Sequence, residues 1–194
     1  MKKITLILLI FILNFTNSYS IEADVFVQST VNRASQTLSK NISKEEKINE
    51  LKSIAKETVD IKGVGFYSLG SARKNLNDNQ KIQYSKLFEE YFLKSFSSRL
   101  AEYTNPEIEV NDKKVLNKNY TIVNSVLVGT SERPQVKIDW RVYTKDPEKP
   151  LIRDLIIEGL SLARTQKEEF SSILSSNDGD INALFNTLEK FSQN

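Results

Sequence analysis

Gly159-Leu160-Ser161-Leu162-Ala163 is the stretch whose residue types and spacing come nearest to a catalytic device. A serine in this setting, after an isoleucine-rich run and before a helical pattern, has the outline of the nucleophile elbow of the α/β-hydrolases. Such a hydroxyl needs a base to take its proton, normally a histidine, and the chain has 0 His. Ser161 stands instead where a hydroxyl caps the first free N–H groups of a helix, and capping is the role the sequence assigns it. The carboxylates offer no better constellation. Glu89-Glu90 and Glu168-Glu169 lie among lysines on helix faces, where a solvated surface is the expected role. Glu158, at the end of an apolar run, is the one acidic residue expected to be partly buried. An exported α+β enzyme using Glu158 as acid or base is therefore kept as an alternative, although nothing supplies its partner. Gly63, Gly65 and Gly70 miss the spacing of the dinucleotide fingerprint, and no strand precedes them. With 0 Cys there are neither disulfides nor thiolate metal sites.

The elements that must position these residues begin after a targeting segment. Lys2 and Lys3, the apolar run Ile4 to Phe15 and the small-x-small triplet Ser18-Tyr19-Ser20 read as a signal peptide over residues 1–20, cleaved near Ser20. The run is about a dozen residues, short of the roughly 20 that cross a bilayer. Residues 21–194 then form a single domain in the periplasm. Without Lys2 and Lys3 the 27 basic residues fall to 25, equal to the 25 acidic ones. A formally neutral domain has no basic footprint for nucleic acid.

Helical spacing places Val27, Val31, Ala34 and Leu38 on one face over residues 23–38. Ser43 with Glu46 forms a capping box before a second helix carrying Ile48, Leu51 and Ala55. A short helix is expected within 60–69. Asn77 or Asp78 opens the longest helix, running to about Tyr103, with an apolar face that includes Tyr84, Phe88, Phe92, Phe96 and Leu100. That stripe reads either as core or as one wall of an apolar cavity. After Pro106 the period becomes two. Ile108 and Val110 begin a short strand turned by Asn111-Asp112, followed by strands over Tyr120 to Val128, Val136 to Val142 and Leu151 to Glu158. The short loops predict an antiparallel meander of four strands. Its alternation is read as turning Val126 and Trp140 towards the helices, with Phe92 facing them. A tail helix opens near Asp180 and carries Ile181, Leu184, Phe185, Leu188 and Phe191. The fold class is α+β: a four-stranded, mainly antiparallel sheet packed by several helices.

The order of these pieces resembles the MlaC family, periplasmic phospholipid-binding proteins also called toluene-tolerance proteins. The residues that carry the likeness are Leu69-Gly70, Gln80, Leu87-Phe88, Tyr91-Phe92, Leu100 to Tyr103, and Ile157 to Leu162 with Phe170. The chain departs from the family at Arg164-Thr165-Gln166, where an Asn-Tyr-Arg run is frequent, and near Pro150-Leu151, where a tryptophan is usual. The resemblance implies a monomeric, non-enzymatic carrier with no cofactor and a phospholipid as cargo. It would move lipid between an outer-membrane lipoprotein complex and an inner-membrane ABC transporter, maintaining outer-membrane lipid asymmetry. On this reading the tails contact Phe66, Leu69, Phe88, Phe92, Phe96, Val126, Val128, Trp140, Val142, Ile156 and Leu160. An envelope adaptor whose apolar faces are all core is the remaining alternative.

Overall fold

The computed structural model describes residues 20–131 and 133–193; residues 1–19 of the expected signal peptide lie outside them. Six helices and a five-stranded sheet follow in order: α1 (Ala23–Ser39), α2 (Lys44–Thr58), α3 (Ile61–Ser68), α4 (Asp78–Leu100), β1 (Ile108–Asn117), β2 (Tyr120–Leu127), β3 (Val136–Tyr143), β4 (Leu151–Ile157), β5 (Leu160–Ser161), α5 (Leu162–Ser175) and α6 (Ile181–Gln193). The helix starts follow their caps. Ser43 with Glu46 and Asn77 with Gln80 each form a reciprocal capping box. Asp60 caps α3 and Ser161 caps α5. Among the described residues, no helix is long and apolar enough to cross a membrane.

The sheet is antiparallel in the order β1-β2-β3-β4-β5. It departs from the expected four strands at both ends. Asn111-Asp112 does not turn the chain; the pair falls at a bulge, between Val110 and Asp112 in the register. The strand continues to Asn117, whose side-chain Oδ1 accepts from the Asn119 N–H at 2.9 Å and makes the turn. At the other end Glu158 and Gly159 take φ of 49° and 83°, a pair of left-handed residues suited to a two-residue hairpin. The chain folds back there and adds β5, pairing Ile157 with Leu160.

Register decides which side chains share a face. Val123 lies opposite Trp140, and Trp140 opposite Leu155. With Ile138, Val142 and Ile152 they form one apolar core, covered by Ala23, Val27 and Val31 of α1. Each such side chain, fully buried, contributes about 1.5–3 kcal/mol. Lys113 reaches from β1 to Glu22 at 2.6 Å and Asp24 at 2.7 Å, tying the start of α1 to the same face. A second core lies among α3, α4, α5 and α6, built on Tyr84, Phe88, Phe170, Leu184 and Phe185. Helix α2 packs against both α1 and α4 and so spans the two halves.

Candidate functional site

Helix α4 carries an aromatic ladder that begins in the core and leaves it. Tyr84 and Phe88 are buried. The Tyr84 hydroxyl donates to the Gly65 carbonyl at 2.8 Å, and burial pushes its phenol well above the ordinary range. Gly65 has to be glycine here, because a Cβ would come within 2.7 Å of the Phe88 ring. From Phe88 the ladder steps to Phe92 at 6.1 Å and to Phe96 at 5.6 Å, the last two rings within 9° of parallel. Phe92 and Phe96 are only half-buried, so the stripe runs out to the margin of the helical core.

The sheet core has a similar margin. Trp140 is buried with its indole N–H donating to the Ser125 hydroxyl at 2.8 Å, and that hydroxyl donates to the Ile138 carbonyl at 3.0 Å. Leu127, Val136 and Leu155 pack against this core and stay half-buried. Among the described residues Val59 alone packs against both cores. It makes a parallel bridge to Ile152, and the neighbouring Asp60 N–H donates to the Ile152 carbonyl at 3.0 Å. Asp60 also binds Arg153 at 2.6 Å, and Arg153 lies 3.7 Å over the Tyr143 ring. One well-pinned corner thus joins two apolar bodies whose other margins are half-open.

The eleven expected contact residues fall into five places. Phe66, Leu69, Phe88, Phe92 and Phe96 belong to the helical core or its margin, and Trp140 and Val142 to the sheet core. Val126 and Ile156 lie on the opposite face of the sheet, paired with Lys137 and Asp139. The expected common facing of Val126 and Trp140 is therefore corrected: in β2 the residues turned to the apolar core have the parity of Thr121, Val123 and Ser125, which are buried. Val128 follows β2, its N–H bound to the Glu107 carbonyl. Leu160 is 60% exposed, on the short edge strand. Sequence reasoning turned Val59 inward on the second helix without linking it to the sheet, and passed over Val123 and Leu155. Val123 was legible as the partner of Trp140 once Ser125 is allowed to point inward with its hydrogen bonds satisfied.

Two surface grooves of about 530 and 550 Å³ lie away from this seam. Lys52, Lys56 and Lys94 help line the first, and Leu69, Lys167 and Asp178 the second. Neither is lined by the aromatic margin of α4. Ser161 of the serine motif is the N-cap of α5. Ser161 Oγ accepts from the Arg164 N–H at 3.1 Å and donates to Asp154 at 2.6 Å, while the other Asp154 oxygen accepts from the Ala163 N–H at 3.0 Å. Glu158 is exposed rather than partly buried, and its carboxylate accepts from the Lys137 backbone N–H, which fastens the hairpin. Among the described residues no group of three or more His, Asp or Glu side chains could hold a metal ion.

The family model described as MlaC protein matches residues 27–190. The chain belongs to the MlaC family. Its fold matches that of a phospholipid-binding protein from Ralstonia solanacearum, solved in complex with a phospholipid, with a TM-score of 0.75 and 18% sequence identity. The match covers 89% of this chain and 98% of that one. No curated protein matches the chain by sequence.

Proposed function

We propose that this MlaC-family chain is a periplasmic phospholipid carrier that holds the acyl tails between its two apolar cores. The observation that carries the reading is the seam: two cores linked by Val59, each with a half-buried apolar margin. Family membership and the phospholipid held by the Ralstonia protein support the same reading. The physical demand is severe. A diacyl lipid exposes some 30 methylenes at about 0.8 kcal/mol each, so water opposes its release by roughly 20 kcal/mol. A carrier must hide both tails, and that calls for a space near or above the top of the usual range of about 300–1,000 Å³. The tails therefore enter by parting the aromatic margin of α4 from the sheet, with Phe92 and Phe96 on one side and Trp140 and Leu155 on the other. The headgroup stays in water. An inner-membrane ABC transporter and an outer-membrane lipoprotein complex are the proposed donor and acceptor, and the carrier works as a monomer without a cofactor.

A mass spectrum of the undenatured protein, purified after export, tests this. The expected result is a chain starting at Ile21 with about one phospholipid bound. Protein that yields no lipid on extraction, and takes none from vesicles, overturns the carrier reading. Retention of Met1 on envelope-resident protein overturns the processing.

A further inference from the structure

Two apolar rows lead away from the pinned corner at Val59 and Asp60, and each is closed near it and open at its far end. On the core face of β4 and β5, Ile152 at the corner is 5% exposed, Leu155 and Ile157 are half-buried, and Leu160 is 60% exposed. Antiparallel pairing sets these side chains on one face: Leu155 lies opposite Trp140, Ile157 opposite Ile138, and Leu160 opposite Ile157. The second row runs along α4. Tyr84 is fully buried and tied by its hydroxyl to Gly65 of α3, the helix that Asp60 caps. Phe92, Phe96 and Leu100 are half-buried, and Tyr103, just past the helix, is 37% exposed.

Both open ends lie at the same end of the sheet. Ile108, which opens β1 after the connection from α4, pairs with Leu127 at the end of β2, and Leu127 pairs with Val136 at the start of β3. All three are half-buried at the margin of the sheet core. Arg133, in the β2–β3 loop, lies 5.1 Å over the Tyr103 ring, and the Val128 N–H donates to the Glu107 carbonyl at 2.8 Å. The β4–β5 hairpin is fastened to Lys137, beside Val136. The Glu158 N–H donates to the Lys137 carbonyl at 3.0 Å, and the Glu158 carboxylate accepts from the Lys137 N–H.

A lone exposed leucine needs no explanation. Leu160 differs because it continues a row that begins in the core, and the bonds of the hairpin hold it in place. We propose that the seam has its mouth at this end of the sheet, where Leu160 is the first side chain that the acyl chains of a phospholipid meet. Entering tails would pass from Leu160 to Leu155 and Trp140 on one side, and from Tyr103 to Phe96 and Phe92 on the other. Apolar contact then grows with each step inward, and no step requires the Asp60–Arg153 corner to open. This placement deepens the carrier reading and rests on it.

The chain has 0 Cys, so Leu160→Cys and Ile82→Cys each give one site for an environment-sensitive fluorophore. Ile82 is 70% exposed on the half of α4 away from Tyr103 and serves as the control. Delipidated protein is mixed with vesicles of phosphatidylcholine and phosphatidylglycerol, and lipid uptake is confirmed by extraction. Loading is expected to shift the emission of the Leu160→Cys label to the blue and to leave the Ile82→Cys label unchanged. Leu160→Asp sets a charge in the path of the tails and should slow both uptake and return of phospholipid about tenfold or more, while Ile82→Asp keeps wild-type rates. An unchanged melting temperature confirms folding; if Leu160→Asp fails to fold, the labels decide. A Leu160→Cys label that stays silent during loading, equal shifts at both positions, or wild-type rates in folded Leu160→Asp overturns the proposal. Protein that takes up no phospholipid at all sinks the carrier reading and this one with it. Protein that loads normally with a silent Leu160→Cys label sinks the mouth alone.

Discussion

Tyr84 shows how one polar atom is fitted into an apolar core. Its ring is fully buried against Phe88 and Phe185, while its hydroxyl finds the Gly65 carbonyl. Ionising it would bury a charge and remove the donor, so burial raises its pKa above the ordinary value of about 10. The sign of the linkage follows. The folded state keeps a proton that the unfolded chain loses above about pH 10, so stability is complete below that pH and declines as pH rises through it. Tyr84→Phe removes this term. The variant is expected to lose about 0.5–1.5 kcal/mol at neutral pH with its hydrogen bond, yet show a shallower alkaline decline, read by thermal melts from pH 8 to 11. An equally steep decline would move the alkaline sensitivity to other groups, such as Tyr91, whose phenol burial also raises.

At the scale of elements, what the sequence made legible depended on whether the signal was local. Caps at Ser43, Asn77 and Ser161 are read from neighbouring residues, and each helix starts where its cap predicts. Strand facing is not local. In β2 both parities hold apolar and polar residues, and the pairing of Val123 with Trp140 decides between them. Asn111-Asp112 carries a turn composition as strong as Asn117-Lys118-Asn119, and the long pairing of β1 with β2 makes the first a bulge and the second the turn. Of the residues proposed to line the seam, Phe92, Phe96 and Trp140 could be named from the sequence, whereas Leu155 needed the register of β4. Asp154 is the clearest case of an element held from a distance. It is a buried carboxylate in the sheet that receives the Ala163 N–H and the Ser161 hydroxyl at the start of α5, with Arg141 3.7 Å away. Asp154→Ala should orphan both donors and cost about 1–3 kcal/mol. Hydrogen exchange should report the loss first in the opening turn of α5; protection unchanged there would mean that Ser161 alone suffices as cap.

For the whole molecule the question is whether the seam is a closed joint or a place kept for cargo. Two substitutions of the same kind, on opposite faces of one sheet, distinguish these. Leu155 faces the sheet core beside Trp140, whereas Val126 lies on the other face opposite Lys137. If the cores are a settled joint, Leu155→Trp forces volume into packed surroundings and costs about 1–3 kcal/mol, lowering the melting temperature of lipid-free protein. If tails occupy the seam, the indole fills space otherwise opened for them. The lipid-free protein then keeps its stability or gains some, while phospholipid loading falls severalfold. Val126→Trp should leave loading near the wild-type level, because its side chain is on the face away from Trp140. Stability is compared after delipidation, since bound cargo raises apparent stability by mass action. The carrier reading expects loading to separate the two variants and empty-state stability not to. Leu155→Trp protein that is strongly destabilised when empty and still loads lipid normally would show that the tails lie elsewhere, and a loss of loading in Val126→Trp alone would place them on the other face of the sheet.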